Sequence, residues 1–372
     1  MTAQQVRSND APRAAAESRV TVGVVIVNYN GGDRVLRALD ALHRQNYPLA
    51  DVVIVDNHSS DGSSVCIRER FPGVRIVDLP SNIGLAAARN LGLRQLDTAL
   101  VFLVDHDIYV EHHSIERMVG AYEQVHAAVI CPRIRFFPET DIIQVEGAAP
   151  HFLGTLVLRH GYCAVADTLA EAGYVGGAPG GCLLVDRERI LKAGGFDDLF
   201  FFYFEDLEFS MRLRALGEKF WCEPNAEVYH EPAAGTPGLS FRGEGDYPAR
   251  RAYLTMRNRL LAIFIHYRWR TVLVLLPVLL LYEAASAAMA IRKGWPLAWV
   301  RAWLWQGWHI RTIISRRRGI QDRRTIGDKD ILVGGDPPLA PGFLRTSLER
   351  RLFKLFSRIV NGYWTLCHNW VG

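Results

Sequence analysis

The stretch Ala99–Asp107, ALVFLVDHD, is an apolar run that stops on two carboxylates. Its six apolar residues are too few for a typical helix and suit a strand buried on both faces. Working outward, the same pattern recurs upstream. Val22–Val27 (VGVVIV) precedes the turn-like Asn28-Tyr29-Asn30-Gly31-Gly32, and Val52–Val55 stops at Asp56. Val74–Val77 is a third such run. Between them, 33–45, 64–71 and 85–96 read as helices, the first through Val35, Leu36, Leu39 and Leu42. Strands alternating with helices, with polar clusters at the strand ends, predict a mostly parallel sheet covered on both faces. Ligands of such sheets gather at the carboxyl ends of the strands. Residues 130–240 are richer in Gly, Pro and aromatics and read as strands and loops, with a helix at 207–216 behind an acidic cluster.

Composition separates two regions of the 372-residue chain, whose net charge is +4. From Arg250 onward there are 21 Lys+Arg and 6 Asp+Glu, a net of +15, so the preceding part carries −11. The basic part interleaves its cations with aliphatic runs and Trp, which suits an anionic membrane surface and argues against nucleic acid as partner. Mean hydropathy is +0.03, high for a soluble enzyme. The six cysteines are scattered without CxxC or Cys/His spacing and read as free thiols of a reducing compartment. The first nineteen residues are Ala, Ser, Arg and polar residues and lack an apolar h-region, so a disordered tail over 1–20 and a cytoplasmic site of action are expected. The remaining boundaries are expected at 21–246 for a catalytic domain and 247–372 for a helical, membrane-associating region.

Asp105-His106-Asp107 places two carboxylates where a hard divalent cation could bridge two phosphates. Asp56 ends a strand and could accept from the imide N–H of a pyrimidine, while Asp61 reads as an Asx-turn at the next helix. Arg89 lies one turn inside the helix that follows Asn82-Ile83-Gly84, where it could pair with a diphosphate. Glu205, Asp206 and Glu208 open a helix beside an aromatic run; they are either dipole-stabilised caps or contain a general base. His230 ends VYH.

In order, VIVNYNGG, VDNHSSDGS, NIGLAAARNLG, DHD, GGCLLVDRERILKAGGFDD, YFEDLEFSMRLRALG and His230 resemble the family-2 inverting glycosyltransferases of A-type fold, closest to their bacterial rhamnosyltransferase-like branch. The resemblance runs from about Val22 to Ser240. It implies a three-layer α/β/α fold with a mostly parallel sheet, to which the C-terminal helical region is added. It implies donor-binding roles for Asn28, Asn30, Asp56, Asn82, Gly84 and Arg89, and also for Asp105, Gly180 and Gly181. Metal ligands would be Asp105, Asp107 and His230, holding Mn²⁺ or Mg²⁺. Asp206 would be the base, assisted by Glu205. The expected partners are a UDP- or dTDP-sugar donor, with dTDP-rhamnose a candidate, a lipid-linked glycan acceptor, and the cytoplasmic face of the cell membrane; an oligomer is compatible. His106 is not the commonest middle residue of such a triplet.

The QxxRW motif of processive synthases is absent, and Arg257-Asn258 stands in the corresponding region, so single addition is expected. A catalytically inactive nucleotide-sugar-binding or scaffolding protein is the alternative. A nucleotidyltransferase would need an Arg-containing loop after the first strand, and a dehydrogenase a GxGxxG there; neither is present. In the C-terminal part, 272–291 is long enough to span a membrane but carries Glu283 and basic flanks. A helix lying in the cytoplasmic leaflet is expected, followed by interfacial helices around Trp295–Arg311 and Phe343–Trp370.

Overall fold

The computed structural model describes residues 19–232, 248–337, 339, 344 and 346–372. Residues 1–18 of the tail expected at 1–20, the junction at 246/247 and Phe343 lie outside them. The first half alternates β1 (Val22–Asn28), α1 (Gly32–His43), β2 (Leu49–Asp56), α2 (Ser63–Arg70), β3 (Arg75–Asp78), α3 (Leu85–Gln95) and β4 (Leu100–Asp105). Next come β5 (Ile108–Val110), α4 (Ser114–Val125), β6 (Val129–Phe136), β7 (Ile143–Val145), β8 (Ala148–His151) and β9 (Thr155–Leu158). The sheet region ends with β10 (Gly173–Val175), β11 (Cys182–Asp186), α5 (Arg187–Lys192), α6 (Glu205–Ala215) and β12 (Phe220–His230).

The main sheet has the order β10-β12-β6-β11-β4-β1-β2-β3, with β5 and β7 added beside β12 and β6. β3, β2, β1, β4, β6 and β12 run in one direction; β11, inserted between β4 and β6, runs against them. Alternation along β1 builds the layers. Val22, Val24 and Ile26 enter the core with Val35 and Leu39 of α1 and Met118 of α4. Val25 and Val27 enter the opposite core with Ala86 and Leu93 of α3 and Phe209 of α6. All seven residues of β1 are buried, so each large one contributes about 1.5–3 kcal/mol of burial free energy. The sheet is therefore mostly parallel and helix-covered on both faces.

Among the described residues five further helices follow: α7 (Ala249–His266), α8 (Trp269–Arg292), α9 (Pro296–Trp308), α10 (Ile310–Gln321) and α11 (Ser347–Cys367). They share a third core with the sheet region, where Phe200, Leu207 and Met211 meet Leu261, Ile265, Leu275 and Val360. α7 runs beneath the start of α6 and buries Arg257, Asn258 and His266 there.

Candidate active site

Three loops leave the carboxyl ends of β1, β2 and β4 side by side. At the first two, buried Asn28 donates from Nδ2 to Asp56 Oδ1 (3.0 Å), Ser59 Oγ (3.1 Å) and Ser63 Oγ (2.9 Å). Asn30 is held through Ser59 and the Ser60 amide. Asp56 is 5% exposed and also accepts from the Ser59 amide, so its carboxylate has a fixed aim. Asp61 accepts from the amides of Gly32 and Ser63, the Asx-turn its position suggested.

Asn57 and Asn82 bond to each other, and Asn82 Oδ1 accepts from the Gly84 amide at 2.9 Å. Gly84 has φ +87°, and a Cβ there would lie 2.6 Å from the Phe201 carbonyl oxygen. The close approach lets Leu85 donate its amide to that oxygen at 2.8 Å. Two distant loops are thus joined through backbone. Phe201, Tyr203 and Phe204 all have positive φ, a strained turn for non-glycine residues. α7 holds it. Asn258 Nδ2 donates to the carbonyls of Phe200 (2.7 Å), Phe202 (3.0 Å) and Tyr203 (2.6 Å). Arg257 donates to Asn258 Oδ1 and to the carbonyls of Leu199 and Phe200, which fixes the amide's orientation. The contact role of this Arg-Asn pair is the main site feature that the sequence left unread.

The turn delivers Glu205 and Asp206. Arg89, 2% exposed, donates to Asp105 Oδ1 at 2.6 Å and lies 3.9 Å from Glu205 Oε1. Its Nη1 and the Glu205 Oε2 are buried and have no hydrogen-bond partner. Gly180 makes room: a Cβ there would meet Arg89 Nη1 at 2.7 Å and Asp206 Cβ at 3.5 Å. Gly181 accepts the Asp105 amide through its carbonyl, and a Cβ there would lie 3.1 Å from Ile108 Cδ1 and 3.6 Å from Asp105 Oδ2. The acidic trio divides. Glu208 points into the core, where Arg212 (2.7 Å) and His266 (3.4 Å) more than offset the effect of burial and hold its carboxyl at about 2. No side chain caps α6, although Asp206 accepts the Leu207 amide.

Electrostatics single out this pocket. Burial, then the neighbouring Asp206 charge, pushes Glu205 up to about 8. Burial also raises Asp206 and Asp105, in each case against the pull of Arg89. Asp107 behaves oppositely: burial favours its neutral form, but the pairing with His230, whose Nε2 is 3.4 Å away, holds it below the usual range. His230 Nδ1 is 2.7 Å from Gln144 Oε1. His106 lies over the first loop, 3.4 Å from the Val27 carbonyl.

Among the described residues no group of three or more His, Cys, Asp or Glu is gathered as a metal cage. Asp107 and His230 face each other, whereas Asp105 is turned onto Arg89. The donor set still fits a divalent cation of the Mn²⁺ or Mg²⁺ kind: two carboxylates and one imidazole. Asp105 is raised partly by the charge of Asp107, and a cation between them would relieve that repulsion.

A stability consequence follows for Glu205. Its folded pKa lies above the ordinary value of 4.5, so between that value and about 8 the folded state holds a proton the unfolded chain has lost. Stability contributed by this proton is full at low pH and is lost as pH rises through the window. Glu205→Gln is therefore expected to melt higher than the native chain at pH 8–9, by roughly 4 °C or more, with the gap closing towards pH 5. Calorimetry across that range checks it; a gap independent of pH would refute the assignment.

Parts of the sequence and the fold are similar to those of known proteins. Residues 23–169 match the model of the Glycosyl transferase family 2. Over that stretch the chain is similar to the family 2 glycosyltransferases. It is 28% identical over 235 residues to the N-acetylglucosaminyl-diphospho-decaprenol L-rhamnosyltransferase of Mycobacterium tuberculosis, covering 57% of this chain and 76% of that one. It is 24% identical over 253 residues to the low-salt glycan biosynthesis hexosyltransferase Agl10 of Haloferax volcanii, covering 65% and 75%. The crystal structure of GalNAc-T7 with UDP, GalNAc and Mn²⁺ superposes with a TM-score of 0.54 at 19% identity. That superposition covers 67% of this chain and 48% of GalNAc-T7, so the chain spans about half of the neighbour's length, and the likeness is one of fold.

Proposed function

We propose that the chain transfers one sugar, with inversion, from a UDP- or dTDP-sugar to a lipid-linked glycan acceptor at the cytoplasmic membrane face. The observation that carries the reading is the meeting of Arg89, Asp105, Glu205 and Asp206 at the strand ends, beside the Asp107–His230 pair. Asn28, Asn30 and Asp56 would receive the pyrimidine and ribose end of the donor. Asn82 and Gly84 shape the neighbouring wall. Gly180 and Gly181 let backbone approach the sugar, and Arg89 supplies a buried cation for the diphosphate. Asp105, Asp107 and His230 would hold Mn²⁺ or Mg²⁺, which when bound supplies Lewis-acid neutralisation of the diphosphate charge.

The acceptor hydroxyl must lose its proton on the face opposite the leaving diphosphate. Asp206, raised by burial, is matched to that task. Glu205 at about 8 keeps its proton at neutral pH, so one negative charge, and not two, faces the acceptor. The name of the mycobacterial relative supports a polyprenyl-diphosphate-linked acceptor and a deoxyhexose donor, with dTDP-rhamnose the first to try.

The test is release of free UDP or dTDP when the chain is incubated with UDP- and dTDP-sugars, Mn²⁺ or Mg²⁺, and a polyprenyl-diphosphate acceptor. Acceptor-dependent release from at least one donor is expected. Binding of donors with no release under any of these conditions would favour an inactive nucleotide-sugar-binding protein instead.

A further inference from the structure

Among the described residues one helix, α8, is long and apolar enough to cross a membrane, with a mean hydropathy of 2.1. The structure commits one side of it to protein along its length. Thr271, Leu275, Val278, Leu279 and Ala290 are buried. Tyr363 of α11 donates to the Val274 carbonyl at 2.6 Å. At mid-helix Glu283 pairs with Arg259 of α7, whose side chain is 4% exposed, and accepts from Trp303 of α9 at 3.1 Å. Arg259 in turn donates to the Leu153 carbonyl at 2.7 Å. Pulling α8 into lipid on all sides would strand a buried guanidinium and carry an unpaired carboxylate into hydrocarbon.

The outward side is apolar: Leu273, Leu276, Leu280 and Leu281 are 70%, 42%, 58% and 38% exposed. Beside it, α11 exposes Leu348, Leu352, Leu355 and Ile359, spaced by four, three and four residues along one helical face. Arg351, Lys354 and Arg358 form the adjoining exposed stripe. The sole acid of α11, Glu349, is buried against Arg292. A second copy of this surface would bring cations against cations. An anionic bilayer complements both the charge and the apolar stripe.

We infer that α8 and α11 seat the folded chain on an anionic lipid leaflet, with α8 lying in the plane and not crossing. The inference deepens the membrane part of the function proposed above and rests on it only for where the acceptor is met. The outward leucines enter the acyl boundary while Arg351, Lys354 and Arg358 meet phosphate headgroups.

Flotation of the full chain with phosphatidylglycerol/phosphatidylcholine vesicles tests this. Strong binding is expected, with much weaker binding to phosphatidylcholine alone. Arg351→Glu/Lys354→Glu/Arg358→Glu, all at exposed positions, should weaken binding at least about 100-fold without lowering the melting temperature. Leu352→Glu should weaken it as well. For orientation, Trp269→Cys and Ile291→Cys are placed singly in a Cys66→Ser/Cys163→Ser background. Both should react with a membrane-impermeant maleimide added outside intact vesicles. Protection of one end only would show a span and overturn the in-plane reading. Failure to float with anionic vesicles, binding indifferent to charge reversal, or a lipid-free dimer abolished by Leu352→Glu would overturn the lipid surface. Asp206→Asn should float like the native chain, which keeps the outcome separate from that of the catalytic assignment.

Discussion

Asp206→Asn is expected to lower kcat by about 10²–10⁴ while leaving donor and metal affinity within a few-fold of native. The substitution keeps size, and its oxygen can still accept the Leu207 amide that Asp206 accepts at 2.8 Å. What it removes is the capacity to take the acceptor proton. Steady-state kinetics with separate nucleotide-binding titrations distinguish the two effects. If donor binding falls as far as turnover, Asp206 belongs to the donor pocket and the base must be sought at Glu205. Full activity in both Asp206→Asn and Glu205→Gln would reduce these acids to ends of a helix and remove the mechanism.

The second large effect is expected at Asp107. Asp107→Ala should lose turnover by about 10³-fold or more, and with it the metal-dependent part of donor binding, because the diphosphate charge loses its counter-ion. The pairing with His230 holds the Asp107 carboxylate in its ionised form, the form that ligates a metal. Mn²⁺ binding followed by electron paramagnetic resonance gives a readout independent of activity. Near-native Mn²⁺ affinity in the variant, or full activity of the native chain in EDTA, would sink the metal assignment.

The sheet was legible because its strands are buried on both faces. VGVVIV, VVIV and LVFLV stand out as apolar runs, and the structure extends them by a residue or more at their ends. The strand ends, and so the acids Asp56, Asp105 and Asp107, could be located without coordinates. β5 was not legible: three residues after the DHD triplet pair with β12, and nothing local in IYV announces a partner 120 residues away. The same limit hid the turn at 199–204. Positive φ at three aromatic residues opposes their local preference. It is imposed by Arg257 and Asn258, more than fifty residues later, so no window of sequence contains both cause and effect. Glu208 was indistinguishable from Glu205 and Asp206 by position. Only the inward partners Arg212 and His266 separate them. The exposed face of α11 was legible as a basic, apolar mixture, whereas its division into adjoining stripes required knowing which side of the helix α8 covers.

The Gly84–Phe201 contact has a thermodynamic reach beyond its size. Phe201 belongs to the turn that delivers the proposed base, and Gly84 to the loop proposed to wall the donor. A carbonyl of one is the partner of an amide beside the other. Separating the loops there breaks that hydrogen bond, and a side chain at position 84 would collide with Phe201. If the two loops serve donor and acceptor as proposed, occupancy of the two half-sites would be linked through this shared backbone, and linkage is reciprocal. Under the proposed function, whatever factor a bound donor applied to acceptor affinity, a bound acceptor would apply to donor affinity, and the Leu85–Phe201 hydrogen bond is one backbone contact through which the two loops would act on each other.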